Sequence, residues 1–225
     1  MDLSEMYENI YPVRVDCLVD TYAGIAEQAF GNFLDQNFDP DTAGGFDRDD
    51  RRRVSGIKTI VFAAMAIEAA AFEFSASILG DTIAEKYLDR MDIVGKWMIG
   101  PRLVCGQSLD AEGPAITSLK GLVSARNALV HHKSKPGDKA GKAMKAMMDK
   151  WAKFEKDQVP NAFKTLVLLS LELKALPSGF VGVVPYRDRS LLIPPGFRND
   201  YSPHPRVKKV IDRCHEIHKK HLKGV

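Results

Sequence analysis

The chain has 225 residues, of which 45% are hydrophobic and 27% charged, and its net charge is +3. This length suffices for a globular unit with a buried core, and the small net charge excludes binding driven by overall charge, so only local basic patches matter. Three widely spaced cysteines, Cys17, Cys105 and Cys214, predict neither a metal site nor a disulfide framework. The acidic start and the absence of an apolar run near the roughly 20 residues of a membrane span predict a cytoplasmic protein without a membrane partner.

The first half of the chain shows helical spacing of apolar residues. Helices are predicted over residues 3–38 with a break at Pro12, over 51–79 with an end at Gly80, and over 81–90 and 92–98. The acidic, glycine-containing stretch Asp39–Asp50 is predicted to be a solvated loop. Gly100-Pro101 and Gly113-Pro114 are predicted to interrupt helices, with Pro114 in the first turn of the next one.

The second half predicts three more helices and one irregular segment. Ser118–Lys133 forms the first helix, and Pro136-Gly137-Asp138 ends it. The second carries an apolar stripe from Ala140 to Phe154, and the third, Pro160–Leu176, is apolar almost all round and therefore central. Pro177–Pro205 contains two short β-branched runs, Phe180–Val184 and Ser190–Ile193, which favour a small hairpin. His204–Lys223 closes the chain as a basic amphipathic helix.

These elements predict an all-α protein. The expected architecture is an up-and-down helical bundle with extra N- and C-terminal helices and a small β-hairpin insertion. Residues 1–50 would form the N-terminal helix and loop, 51–176 the bundle, and 177–225 the insertion and C-terminal helix of one overall domain.

Arg126 breaks the pattern of its own helix. On a helical wheel it lies within roughly 20° of the centre of the apolar stripe that Leu119, Leu122 and Val123 help to form. A guanidinium rarely faces a core, because it cannot neutralise and a buried unpaired charge is costly. Asn127 and His131 lie one turn apart on the flank of this stripe, and His132 points about 100° further round.

The run Arg126-Asn127-Ala128-Leu129-Val130-His131 resembles the arginine, polar residue, short gap and histidine motif of the HEPN superfamily. The resemblance covers this motif and its helical context rather than the whole chain. It implies a HEPN-like bundle and a metal-independent endoribonuclease, with motifs that meet across a homodimer interface. It also implies a toxin–antitoxin, antiviral defence or related setting, with an antitoxin or defence-system partner. HEPN toxins paired with nucleotidyltransferase antitoxins have a tyrosine two positions after the histidine, where this chain has Lys133.

The residue types themselves fit phosphodiester chemistry. An imidazole can move protons near neutral pH, and a guanidinium suits the doubled charge on a pentacoordinate phosphate. We therefore assign Arg126, His131 and Asn127 as catalytic, and His132 as supporting. The plainer alternative is that the histidines and Lys133 favour the helix C-terminus while Arg126 forms an internal ion pair.

Charged residues elsewhere suggest supporting roles. Glu68 is placed at the apolar centre of its helix, where Arg126 is its expected partner. Lys133, Lys208 and Lys209 are candidates for contacts with RNA phosphates, although a solvated face explains the basic C-terminal helix equally well. His218 and His221 have metal-ligand spacing without an acidic partner, so no metal or cofactor is predicted. Two rival functions remain: a catalytically silent RNA-binding or scaffold module, and a small-ligand sensor.

Overall fold

A computed structural model describes residues 17–36, 45–133, 136, 141–176, 183–187 and 202–224. Helices account for most of these residues and none of them belongs to a strand, which confirms the all-α prediction. The predicted hairpin lies mainly outside the described residues, and the described stretch 183–187 is not a strand. The proposed break at Pro12 also lies outside them.

The first two helices form the most extensive helix pair of the described chain. Helix α1 (Val19–Gln36) packs along helix α2 (Gly45–Leu79). Phe30 and Phe33 of α1 are fully buried in this contact region. Helix α2 begins at Gly45, so the loop predicted for Asp39–Asp50 is wrong over its second half. Glycine- and aspartate-rich sequences are typical of loops, but aspartate is also favourable near a helix N-terminus, and here the helix prevails.

Helix α2 buries its small residues. Ala63, Ala66 and Ala70 are fully buried, whereas Val54 and Met65 on the other side are exposed. A face of alanines lets neighbouring helices approach closely, and α1 and α7 use it. Gly80 ends the helix as predicted, with φ of 84°, a conformation that glycine adopts without strain.

The segment Asp50–Leu79 of α2 is, within the described chain, the one helix long and apolar enough to cross a membrane by length and composition. Its mean hydropathy is 1.6, and half of the most apolar window is buried inside the fold. A core helix meets the same criterion, and Glu68 and Glu73 interrupt the apolar face of this one.

Two shorter helices follow α2. Helix α3 (Asp81–Ile83) continues into the π-helical turn Ala84–Leu88, and helix α4 spans Ile93–Cys105. Asp92 caps α4 by accepting a hydrogen bond from the backbone N of Gly95 at 2.9 Å. The interruption predicted at Gly100-Pro101 is wrong, because α4 continues through it. Gly100 is buried against α2, so closely that a Cβ added to it would lie 3.1 Å from Ser75 Oγ. This tertiary packing outweighs the low helix propensity of the Gly-Pro pair.

The remaining helices place the motif. Helix α5 (Pro114–Val130) packs on helix α7 (Val159–Ala175), and helix α8 (Pro205–Gly224) also packs on α7. Helix α7 is buried along nearly its whole length, as its all-round apolar sequence predicts. Helix α6 (Lys142–Lys153) joins α7 through a second π-helical turn, Phe154–Gln158.

Helix α6 does not bury the apolar stripe that the sequence predicts for it. None of its residues is buried, and Met144, Met147 and Met148 are exposed. Only the end of the stripe is covered, where half-buried Trp151 meets buried Phe154 edge-on at 5.1 Å between ring centroids. The amphipathic pattern predicts the helix correctly, but it does not show whether a neighbouring element covers the apolar face.

Candidate functional site

The N-terminal half of α5 is anchored in the core. Pro114 occupies its first turn, as predicted, and the backbone N of Ala115 donates a hydrogen bond of 3.1 Å to Glu172 Oε1 on α7. Leu119 and Leu122 are fully buried in the same half. These contacts fix the axis of the helix that presents the motif.

The C-terminal half of α5 presents the motif to solvent. Arg126, Asn127 and Val130 are exposed, and Val130 retains 58% of its accessible surface. The helix ends at Val130, so the prediction of helix through Lys133 is wrong by three residues. His131 occupies the C-cap, where its backbone N donates to the carbonyl oxygen of Asn127 at 2.9 Å.

The apolar stripe around Arg126 faces a groove rather than a closed core. This motif groove lies between α2 and α5, has a volume of about 440 Å³ and includes Ile93 of α4. Its walls are apolar apart from Glu68, Arg126 and Asn127. The wheel therefore placed Arg126 on the correct side of α5, but the expectation of a buried guanidinium is wrong because the groove is open.

Glu68 lines the same groove and yet does not pair with Arg126. Its Oε1 accepts a short hydrogen bond from Lys96 Nζ, which also donates to Asp89 Oδ1 at 2.7 Å. The predicted Glu68–Arg126 pair is thus wrong. The wheel of α2 is apolar nearly all round, so it could not distinguish the buried alanine face from the face that carries half-exposed Glu68.

Lys96 is the residue that holds the internal charge, and the sequence analysis missed it. Its side chain is 5% exposed, whereas the side chains of Glu68 and Asp89 are 50% and 57% exposed. Burial by itself would lower the pKa of Lys96, but hydrogen bonds to Asp89 and Glu68 and the attraction of both carboxylates outweigh it and raise the pKa.

Arg126 keeps its guanidinium available. In the described part of the chain its one recorded side-chain hydrogen bond runs from Nη1 to Asn127 Oδ1, at 3.1 Å, and no carboxylate pairs with it. The exposed side chain of His131 likewise has no recorded hydrogen bond there. His132 is engaged, because Lys150 Nζ on α6 lies 2.6 Å from its Nδ1. A lysine ammonium only donates, so Nδ1 is the acceptor in this contact.

The C-terminal helix is not brought to the motif. Its contact with the α5 region is made by His221, whose Nε2 lies 3.5 Å from Asp110 Oδ2, just before α5 begins. From there to Val130 the helix rises by roughly 25 Å. Lys208 pairs with Asp212 at 3.6 Å, and Lys209 is exposed on α8. Of the three lysines predicted to bind RNA, Lys133 alone adjoins the motif.

The histidines of α8 form no metal centre with other described residues: no group of three or more His, Cys, Asp or Glu is arranged to hold an ion. His218 Nδ1 is buried without a partner in the described chain, and burial, assisted by His221 and His215, lowers the pKa of His218. Nearby Glu172 is also buried, which raises its pKa, although the Ala115 hydrogen bond and His221 partly oppose this. Glu172 is one of the few charged residues of this largely buried helix, which is the sequence signal for its contact with Ala115.

No protein-family model matches the chain, and comparisons with curated proteins and with solved structures find no similar protein. The site consists of an exposed arginine and amide at the mouth of an apolar groove, beside the exposed imidazole of His131 at the helix C-cap.

Proposed function

We propose that this protein is a HEPN-type, metal-independent endoribonuclease. The observation that supports the proposal most directly is that Arg126 is solvent-exposed and unpaired with any described carboxylate, five residues before His131. A structural arginine would be buried in an ion pair, and Lys96 occupies that role in this fold. The combination of an exposed guanidinium, an amide and an exposed imidazole suits phosphate chemistry.

The proposed reaction is internal transesterification of RNA. His131 accepts the proton of a ribose 2′-hydroxyl, whose oxygen attacks the adjacent phosphorus. Arg126 stabilises the additional negative charge on the pentacoordinate phosphate, and Asn127 orients the guanidinium through its Oδ1. The 5′-oxygen leaves with a proton from an acid, and the other product ends in a 2′,3′-cyclic phosphate.

We propose a homodimer because the leaving 5′-oxygen needs a proton donor in addition to the base His131. One chain offers a single free motif imidazole, and a two-fold axis through the motif groove would supply the second. The groove is a suitable contact, because it is lined mostly by apolar residues and two of them, Val130 and Met65, are exposed in the single chain. We expect light scattering to report a dimer at micromolar concentration, and Val130→Asp to weaken the dimer and the cleavage together.

The test of the chemistry is RNA cleavage in the presence of a chelator. The protein is expected to cut RNA, to leave DNA of the same sequence intact and to yield cyclic phosphate ends. His131→Ala and Arg126→Ala should each abolish cleavage. His215→Ala and Arg213→Ala are matched controls, because both remove exposed side chains of the same type from α8.

Two results would contradict the proposal. Loss of cleavage in EDTA with recovery in magnesium would indicate metal chemistry. Absence of cleavage by a folded protein that still binds RNA would favour the alternative, a catalytically silent HEPN-like RNA-binding or scaffold module.

The biological setting rests on the resemblance alone. We propose a toxin or defence effector in the cytoplasm, restrained by an antitoxin or another defence-system partner. Induced expression in cells should arrest growth, and the His131→Ala variant should not. Equal growth of both strains at equal protein levels would argue against this setting.

A further inference from the structure

A second cavity, on the other flank of α5, has the composition of an anion site. It has a volume of about 490 Å³ and lies between α5 and the continuous helix formed by α6, the π-helical turn and α7. We name it the lysine pocket; Gly121, Ser124, Lys153, Lys156, Asn161 and Lys164 are among the residues that line it.

The helices that form the pocket run side by side in opposite directions. At one end Lys150 contacts His132, just beyond α5, and at the other Asn161 Nδ2 donates to the carbonyl oxygen of Ser118 at 2.8 Å. The pocket lies along α5 on the N-terminal side of the motif. Ser124 precedes His131 by seven residues, which corresponds to roughly 10 Å along a helix.

The charge of the pocket is unbalanced. Three ammonium groups, those of Lys153, Lys156 and Lys164, face one carboxylate, Asp157. None of the three lysines forms an ion pair with a described residue, and Glu155, which lies between Lys153 and Lys156 in sequence, pairs instead with Arg52 at 3.1 Å. Like charges gathered around one cavity raise its potential and favour an anion there.

The wall of the pocket is held in place by packing. Asn161 is fixed by its bond to Ser118, and an added Cβ on Gly121 would lie 3.0 Å from Asn161 Nδ2. The π-helical turn that carries Lys156 is fastened by Phe154, which is buried so closely against Gly56 that an added Cβ there would meet its ring at 2.8 Å. Such π-turns are frequent at functional sites.

We propose that the lysine pocket binds a phosphate group of the RNA strand whose neighbouring linkage lies at the motif. This inference rests on the proposed function and adds a positioning site to it. Lysines act as point charges for phosphate, and the hydroxyl of exposed Ser124 can donate a hydrogen bond to one of its oxygens. A strand held in the pocket would cross the edge of α5 that presents Asn127 and His131.

The test measures RNA binding separately from cleavage. In the His131→Ala background, a fluorescent single-stranded RNA is titrated at several salt concentrations. The triple variant Lys153→Gln, Lys156→Gln, Lys164→Gln should bind at least tenfold more weakly at about 0.1 M salt, and the slope of log affinity against log salt should fall by about 2. The control triple Lys142→Gln, Lys145→Gln, Lys174→Gln removes equal charge outside the pocket and should change both quantities far less.

A second arm distinguishes strand phosphate from a small phosphate ligand. Inorganic phosphate and pyrophosphate are titrated by calorimetry against the same variants. Tight pyrophosphate binding that the pocket variant loses, with unchanged RNA affinity, would overturn the assignment to RNA. Equal RNA affinity and salt slope for the pocket and control triples would do the same. If RNA binding depends on the pocket but the protein with His131 intact does not cleave RNA, the nuclease proposal is contradicted and the inference about the pocket is supported.

Discussion

The two halves of α5 differ in almost every physical respect. The N-terminal half is buried through Ala115, Ile116 and Leu119, and the buried Glu172 accepts a hydrogen bond from its first turn. The C-terminal half exposes Arg126 and Val130, and the exposed His131 caps its end. One helix thus serves as a core element at one end and as a carrier of polar chemistry at the other.

The difference indicates how the motif can be rigid without being buried. Side chains that must meet a substrate need solvent access, while their positions need to be fixed to fractions of an ångström. Here the buried half of α5 fixes the helix axis, and the exposed half follows it for about two turns. The interior charge of this region is held elsewhere, by Lys96 on α4.

The largest expected effect concerns that interior charge. Replacing both carboxylates, Glu68→Gln with Asp89→Asn, leaves the buried ammonium of Lys96 without a counter-charge and should lower the free energy of unfolding by about 3–5 kcal/mol. Each single change should cost less than half of this, because the other carboxylate remains. Denaturant unfolding of the cycle measures the difference.

Adding Lys96→Met to the double variant is the control and should recover much of the lost stability, since no charge is then left inside. If the two single losses simply add up to that of the double variant, the carboxylates do not share Lys96. The contact with Lys96 would then not explain why Glu68 does not pair with Arg126.

The sequence predicted the features that depend on the periodicity of one helix, but not those that depend on which helices pack against each other. The helices, the end of α2 at Gly80 and the central position of α7 follow from local pattern, and the structure agrees. The local pattern does not predict which side of α2 is buried, because the helix carries apolar residues on all sides, alanines on one and larger side chains on another. Close packing of backbones selected the alanines, so Glu68 was left half-exposed.

The candidate site shows the same division. The clustering of Arg126, Asn127 and His131 at one helix end could be predicted from spacing, because it depends on a single helix. The partner of Glu68, the contact of Lys150 with His132 and the lysine pocket depend on which helices are adjacent. No spacing within one segment contains that information.

An intermediate effect tests the anchor of the N-terminal half. Burial raises the pKa of Glu172 above its ordinary value of 4.5, because the ionised form is disfavoured in the folded state. The stability that its protonation contributes is therefore fully present below pH 4.5 and is lost as the pH rises through the pKa of the folded state. Glu172→Gln keeps an acceptor for Ala115 and removes the charge. Its melting temperature should exceed that of the parent at pH 8 by about 2–4 °C, the shift that 1 kcal/mol produces at this size.

The advantage of Glu172→Gln should shrink as the pH is lowered towards 4, where both chains carry a neutral side chain. Thermal melts across this range provide the measurement. A variant that is less stable than the parent at pH 8 would mean that the carboxylate is ionised and held by His221, and that the anchor of α5 is electrostatic.

The smallest expected effect is at the other end of the helix. Arg126→Met should change the free energy of unfolding by no more than about 0.5 kcal/mol, because the guanidinium is exposed and no described carboxylate loses a partner. Leu119→Ala, seven residues earlier and fully buried, is the reference and should cost about 2–5 kcal/mol. Unfolding at two protein concentrations separates the fold from any dimer contribution, which depends on concentration. If Arg126→Met destabilises the chain as much as Leu119→Ala does, the arginine is a structural residue, the two halves of α5 are alike, and the motif loses its claim to phosphate chemistry.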